Sequence, residues 1–295
     1  MEQRTSLDRR SFLASTAVAA SSLALPTVPA TAAAARSAGL PAKKKIRQSV
    51  ARWTYGNFKL EDLCEKVAKI GITGIDLLHP GEWDVAKKFG LECSMAFGPG
   101  SINIGNCMNR TENHKKILEE CEPHIAKVGE AGIQNMILFS GNRGGQDDAT
   151  GIQNCVKLLE KLVPMAEKAN VTFCIEYLNS KVDHKDYAFD HMSYGTSICK
   201  AIGSPRVKLL YDIYHAQIME GDVIRTLRDN IQYIGHFHTG GVPGRQDIDD
   251  TQELYYPAIC KAILATDYAG WVAHEFLPKK DPIETLARCV KICDV

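Results

Sequence analysis

The chain reads as an α/β protein folded into a single-domain (β/α)8 barrel, and three observations lead there. From Ile46 onward, short β-branched or apolar runs alternate with longer amphipathic stretches, the pattern of βα units on a parallel sheet. Eight such runs occupy about the ~250 residues that a barrel of this kind requires. No Gly-x-Gly-x-x-Gly follows any of them, which disfavours the runner-up, an open doubly wound sheet. Gly141-Asn-Arg-Gly144-Gly145 is too loose a match to that fingerprint and reads as an ordinary flexible loop.

Residues 1–36 stand apart. Arg9-Arg10-Ser-Phe-Leu is a twin-arginine pair followed by an uncharged stretch rich in Ala, Ser, Leu and Val. It is similar to a twin-arginine (Tat) export signal, with Ala30-Thr-Ala32 offering a small-residue cleavage site. Pro26 and Pro29 argue against a membrane-spanning helix there, so no membrane span is expected in the mature chain and the expected location is extracytoplasmic. Residues 37–45 form a linker, and the barrel takes 46–295.

Strands are expected near 46–52, 74–78, 91–97, 134–139, 171–176, 207–212, 233–238 and 271–275. Seven helices separate them, among them Leu60–Ile70, where Leu60, Leu63, Val67 and Ile70 recur at helical spacing and Gly71 supplies the stop. A last helix covers Ile283–Cys293. Ten cysteines are scattered from Cys64 to Cys293 without a C-x-x-C, which fits reduced structural thiols better than a disulfide framework.

Charge narrows the partners. Lys and Arg number 35 against 35 Asp and Glu, so the chain lacks the basic balance that binding a polyanion needs, and nucleic acid is not an expected partner. A small molecule is, and self-association into a homo-oligomer stays open.

In a barrel the active site lies at the C-terminal ends of the strands. Strand five ends in Glu176, strand six in Asp212, strand seven in His238 and strand eight in Glu275. Successive members are separated by roughly the ~30 residues of a βα repeat, and neighbouring strand ends lie about 5 Å apart, so the four converge. Three crowded carboxylates repel unless a cation sits among them. An oxygen-rich set with one imidazole suits Mg²⁺, Mn²⁺ or a similar divalent metal cation. Of His236 and His238, one is expected to face the lumen and the other the helices, with His238 the better ligand; His274, offset by one from Glu275, reads as packed or hydrogen-bonded. Trp53, His79 and Phe97, after the first three strands, are candidate pocket walls, and the loop carrying Asp183, His184 and Lys185 a candidate cover.

These residues carry a resemblance. Glu176-Tyr-Leu-Asn179, Leu210-Tyr-Asp212-Ile-Tyr-His215-Ala-Gln, His236-Phe-His238 with Val242-Pro-Gly-Arg245, and Gly270-Trp-Val-Ala-His-Glu275 resemble the hydroxypyruvate isomerase family of the xylose isomerase-like TIM barrels, over most of 46–295. The resemblance implies an isomerase that moves a proton between adjacent carbons of a small hydroxy-keto acid through an enediolate, converting hydroxypyruvate to tartronate semialdehyde. Glu176 and Glu275 become the acid/base pair, with Asp212 and His238 completing the metal shell. His215 is then placed to contact a substrate oxygen, and Arg245 to pair with a substrate carboxylate. One departure stands out: hydroxypyruvate isomerases carry Gln at the position of His238, where sugar epimerases of the superfamily carry His. A ketose 3-epimerase or other sugar-modifying enzyme, including a 3-keto sugar lyase, is therefore the competing expectation. An exported sugar-binding protein without catalysis and an apurinic endonuclease are more remote.

Overall fold

The structure, a computed structural model, describes residues 45–295; the leader and most of the linker read from the sequence lie outside them. Eight parallel strands run β1 (Arg47–Ala51), β2 (Gly74–Leu78), β3 (Glu92–Ala96), β4 (Asn135–Leu138), β5 (Thr172–Glu176), β6 (Val207–Asp212), β7 (Ile234–Thr239) and β8 (Trp271–His274). They pair in sequence order, and β1 pairs with β8 to close the barrel. Each lies within about two residues of its expected span. Every strand is largely buried, with helices outside and packed side chains within, which is why the strands read as near-continuous apolar runs.

The helices follow their signals. Helix α1 (Leu60–Lys69) buries Leu60, Leu63, Cys64 and Val67, and Gly71 leaves it with φ of +90°. A short α2 (Trp83–Lys88) and a long α3 (His114–Glu130) follow. Helix α4 (Asp148–Ala169) starts on Asp147, whose side chain accepts from the Thr150 amide, and ends on Asn170 in the left-handed region. Helix α5 is Met192–Ile202.

Between β6 and β7 the single expected helix is two, α6 (Ile213–Met219) and α7 (Val223–Asn230). Gly221 and Asp222 turn the chain between them with positive φ. The split matters for the site, because it starts α6 directly on Asp212. Helices α8 (Tyr256–Leu264) and α9 (Pro282–Cys293) complete the ring, α9 opening on the Asp281 cap with proline in its first turn.

The 141–145 loop is not loose, as its glycines suggested. Arg143 pins it to Asp148, to Asp190 and to the carbonyls of Tyr187 and Ala188. All ten cysteines are free thiols and nine are buried. Among the described residues, no helix is long and apolar enough to cross a membrane.

Candidate active site

Asp212 shows how the local sequence builds the site. It is the last residue of β6 and the N-cap of α6, and its Oδ1 accepts from the amides of Tyr214 (2.8 Å) and His215 (3.2 Å). That leaves Oδ2 to face the lumen. Glu176 and His238 project from the neighbouring strands, and Glu275 from the residue after β8. His238 Nδ1 lies 2.9 Å from Glu275 Oε2, 3.3 Å from Glu176 Oε1 and 3.9 Å from Asp212 Oδ2. All four residues are buried, and one donor atom from each falls within 4.8 Å of the other three.

The two remaining expected residues join them. Arg245 sits in a tight loop closed by the Gly241–Gln246 bridge, with a φ of +54° that favours glycine over a long side chain. That conformation returns its guanidinium to the barrel mouth between the rings of Trp53 and Tyr214, 5.4 Å from each. There Nη2 donates to Glu275 Oε2 and lies 3.3 Å from Asp212 Oδ2.

His215 is fully buried, and its Nδ1 accepts from the Asn179 amide at 3.1 Å. An amide can only donate, so the ring proton of neutral His215 is on Nε2. Among the described residues Nε2 has no hydrogen-bond partner, and it lies 3.6 Å from Asp212 Oδ2, facing the cluster. Burial and the nearby Arg245 charge both keep the ring neutral.

The electrostatics separate the carboxylates. Burial and the Glu275 charge push Glu176 up despite its bond to His238, and burial carries Asp212 to about 7 against the pull of Arg245. Burial works against Glu275 as well, but Arg245 and His238 outweigh it and hold that carboxyl well below the usual range. His238, though buried, is raised well above an ordinary histidine by Glu275 and Asp76. The donor set fits a divalent cation: among the described residues, three converging buried carboxylates are met by one guanidinium and one ring.

Three groups escaped the sequence reading. Asp76, in β2, lies with its Oδ2 2.8 Å from His238 Nε2. His236 also turns inward, with Nε2 3.0 Å from Asp76 Oδ1, which corrects the expectation that it and His238 face opposite ways. Residues two apart share one face of a strand, so both rings enter the lumen. Asn179 orients His215, as above. The only signal for Asp76 was a lone acid in an otherwise apolar strand.

Trp53 does more than form a wall, since its Nε1 donates to Glu275 Oε1 at 2.6 Å. His79 stacks on Phe97 at the rim, and His184 lines the mouth while Lys185 is exposed. Asp183 bonds to Asn179 and Tyr214 rather than reaching the cluster. His274 bonds to Thr239 and Gln48, as expected of a structural histidine.

The cavity over the cluster measures about 290 Å³. Glu176, Glu275 and Arg245 form one side, and Leu77, Ile104, Ile137, Phe139 and Leu178 the other.

Residues 64–293 match the xylose isomerase-like TIM barrel family. The chain belongs to that family. Among relatives in it, the 2-oxo-tetronate isomerase of Cupriavidus necator is 37% identical over 124 residues, 41% of this chain and 47% of that protein. This chain thus spans about half the length of that relative. The hydroxypyruvate isomerase of Escherichia coli is 25% identical over 242 residues, 76% of this chain and 90% of the relative. The solved structure of a family 2 AP endonuclease from Brucella melitensis superposes with a TM-score of 0.73 at 20% identity, covering 82% of this chain and 97% of that one, a likeness of fold.

Proposed function

We propose that the protein is a divalent-metal isomerase of a small hydroxy-keto acid, converting hydroxypyruvate to tartronate semialdehyde. The observation that carries this is the pair Glu176 and Glu275. They flank His238 Nδ1 in one buried cluster, one carboxyl pushed up and the other held down. Carboxyls separated in this way divide into a proton donor and a proton acceptor.

Glu176, Asp212, Glu275 and His238 through Nδ1 would hold the cation, which when bound supplies Lewis-acid polarisation of a carbonyl and its neighbouring hydroxyl. Glu275, fixed by Trp53 and Arg245, takes the proton from the hydroxymethyl carbon. Glu176 returns one to the adjacent carbon of the enediolate, while the proton of the hydroxymethyl O–H passes to the former keto oxygen, so that the aldehyde and the new hydroxyl form together. The two carboxyls then exchange protons with solvent before the next turnover. His215 Nε2–H donates to the oxygen on which charge develops. Arg245 Nη1, which makes no hydrogen bond among the described residues, pairs with the substrate carboxylate. The apolar wall keeps water from the enediolate.

The names of the isomerase relatives support this reading at the level of reaction class. A second reading, epimerisation or another conversion of a sugar, is favoured by His238 at the end of β7 and by a cavity with more room than three carbons fill. Purified protein with Mn²⁺ or Mg²⁺, assayed against hydroxypyruvate and a panel of ketoses, separates the two. No turnover of hydroxypyruvate beside clear epimerisation of a ketose would discard the first. The twin-arginine leader adds export to the proposal, and cell fractionation of the tagged protein tests that.

A further inference from the structure

Asp76 is a buried acid that the reaction above does not use. It stands in the middle of an apolar strand, Gly-Ile-Asp-Leu-Leu, and is 0% exposed. A carboxylate so placed is costly unless fully bonded. Its Oδ1 accepts from Ser94 Oγ at 2.6 Å and lies 3.0 Å from His236 Nε2, while Oδ2 lies 2.8 Å from His238 Nε2.

The backbone is distorted where Asp76 stands. The register of β2 on β3 shifts on either side of it, and the next residue, Leu77, has a φ of +57°. A left-handed leucine is strained and persists where the surroundings demand it. Such irregularities re-aim side chains next to active sites.

The two nitrogens of His238 have divided tasks. Nδ1 faces Glu176, Asp212 and Glu275, and Nε2 faces Asp76. We propose that Asp76, held by Ser94 and flanked by His236, is a positioning residue that fixes the proton of His238 on Nε2 and so presents the Nδ1 lone pair to the metal. The inference rests on the divalent-metal reading. A carboxylate behind a ligating histidine orients the ring and raises its basicity, and removing it lowers metal affinity roughly 10–100-fold.

The test measures Mn²⁺ affinity of the whole protein from the electron paramagnetic resonance signal of free Mn²⁺, in wild type, Asp76→Asn and Ser94→Ala. In parallel, nitrogen-15 NMR of the Mg²⁺-loaded wild type reads the His238 tautomer. The expected results are one Mn²⁺ per chain in wild type and a loss of affinity of roughly 10–100-fold in Asp76→Asn. Ser94→Ala shows a smaller loss, and the His238 proton sits on Nε2. If Asp76→Asn does not fold, the Ser94→Ala affinity and the wild-type tautomer still decide.

A purely structural role would lower the melting temperature of these variants with Mn²⁺ affinity unchanged, and that overturns the inference. So does a His238 proton on Nδ1 in the loaded wild type, or a second Mn²⁺ assigned to Asp76, His236 and His238. No Mn²⁺ binding by wild type overturns the metal reading itself.

Discussion

The two halves of the barrel mouth are built differently. Strands β5 to β8 each deliver one ionisable group to a common point, Glu176, Asp212, His238 and Glu275, and the loop after β7 adds Arg245. Strands β2 to β5 and the loops after them line the other side with Leu77, Ile104, Ile137, Phe139 and Leu178. Because the barrel closes between β8 and β1, Trp53 and Asp76 of the first half still reach the cluster, at Glu275 and His238. The difference teaches that ionisable groups and apolar lining are separable here; on the proposed function, one half would supply charge and proton transfer and the other a dry surface that strengthens them.

Breaking the charged half has the largest expected effect. Glu275→Gln and Glu176→Gln each keep the side-chain shape but can neither take nor give a proton, so kcat falls roughly 10³-fold, the scale of general acid–base catalysis. Steady-state kinetics beside an unchanged circular dichroism spectrum check this. A tenfold loss or less in both variants would remove the pair from the chemistry.

Arg245→Ala comes next. It leaves Asp212 and Glu275 without their guanidinium and the substrate acid without a partner, and kcat/KM falls about 10²-fold, with KM for the acid rising. Arg245→Lys, which keeps the charge but not the fork, recovers only part of it.

The apolar half should tolerate more. Phe139→Leu preserves an apolar wall and costs less than about tenfold in kcat/KM, while lowering stability by roughly 1 kcal/mol. A loss matching that of Glu275→Gln would break the contrast between the halves.

The smallest effect on activity is expected at His274, which touches stability alone. Burial holds His274 at about 4 against the ordinary 6.5, so the unfolded chain takes up its proton first as pH falls. The stability linked to this ring is complete above about 6.5 and is lost progressively down to about 4, on the order of 3 kcal/mol. Denaturant titrations across that window show a shallower slope in His274→Gln than in wild type, with kcat unchanged at neutral pH.

Much of this architecture was legible in the sequence, for physical reasons. A strand buried on both faces reads as an unbroken apolar run, and a polar residue that ends such a run stands out, so Glu176, Asp212, His238 and Glu275 could be found by position. Asp76 could not, because it enters the lumen from mid-strand, where the register on β3 shifts, and such an irregularity leaves no periodic mark. His236 shares the lumen with His238 because side chains two apart on a strand lie on one face. The division into α6 and α7 is a local turn at Gly221 and Asp222, inside a segment whose apolar spacing runs on through it.

Carrying the reaction in D₂O tests the central claim most directly. With Mn²⁺-loaded protein and hydroxypyruvate, NMR should show tartronate semialdehyde carrying deuterium on the carbon that was the keto carbon, with recovered substrate labelled at its hydroxymethyl carbon. Both labels should vanish in Glu275→Gln. Unlabelled substrate and no product, under conditions where wild type binds Mn²⁺, would contradict the account.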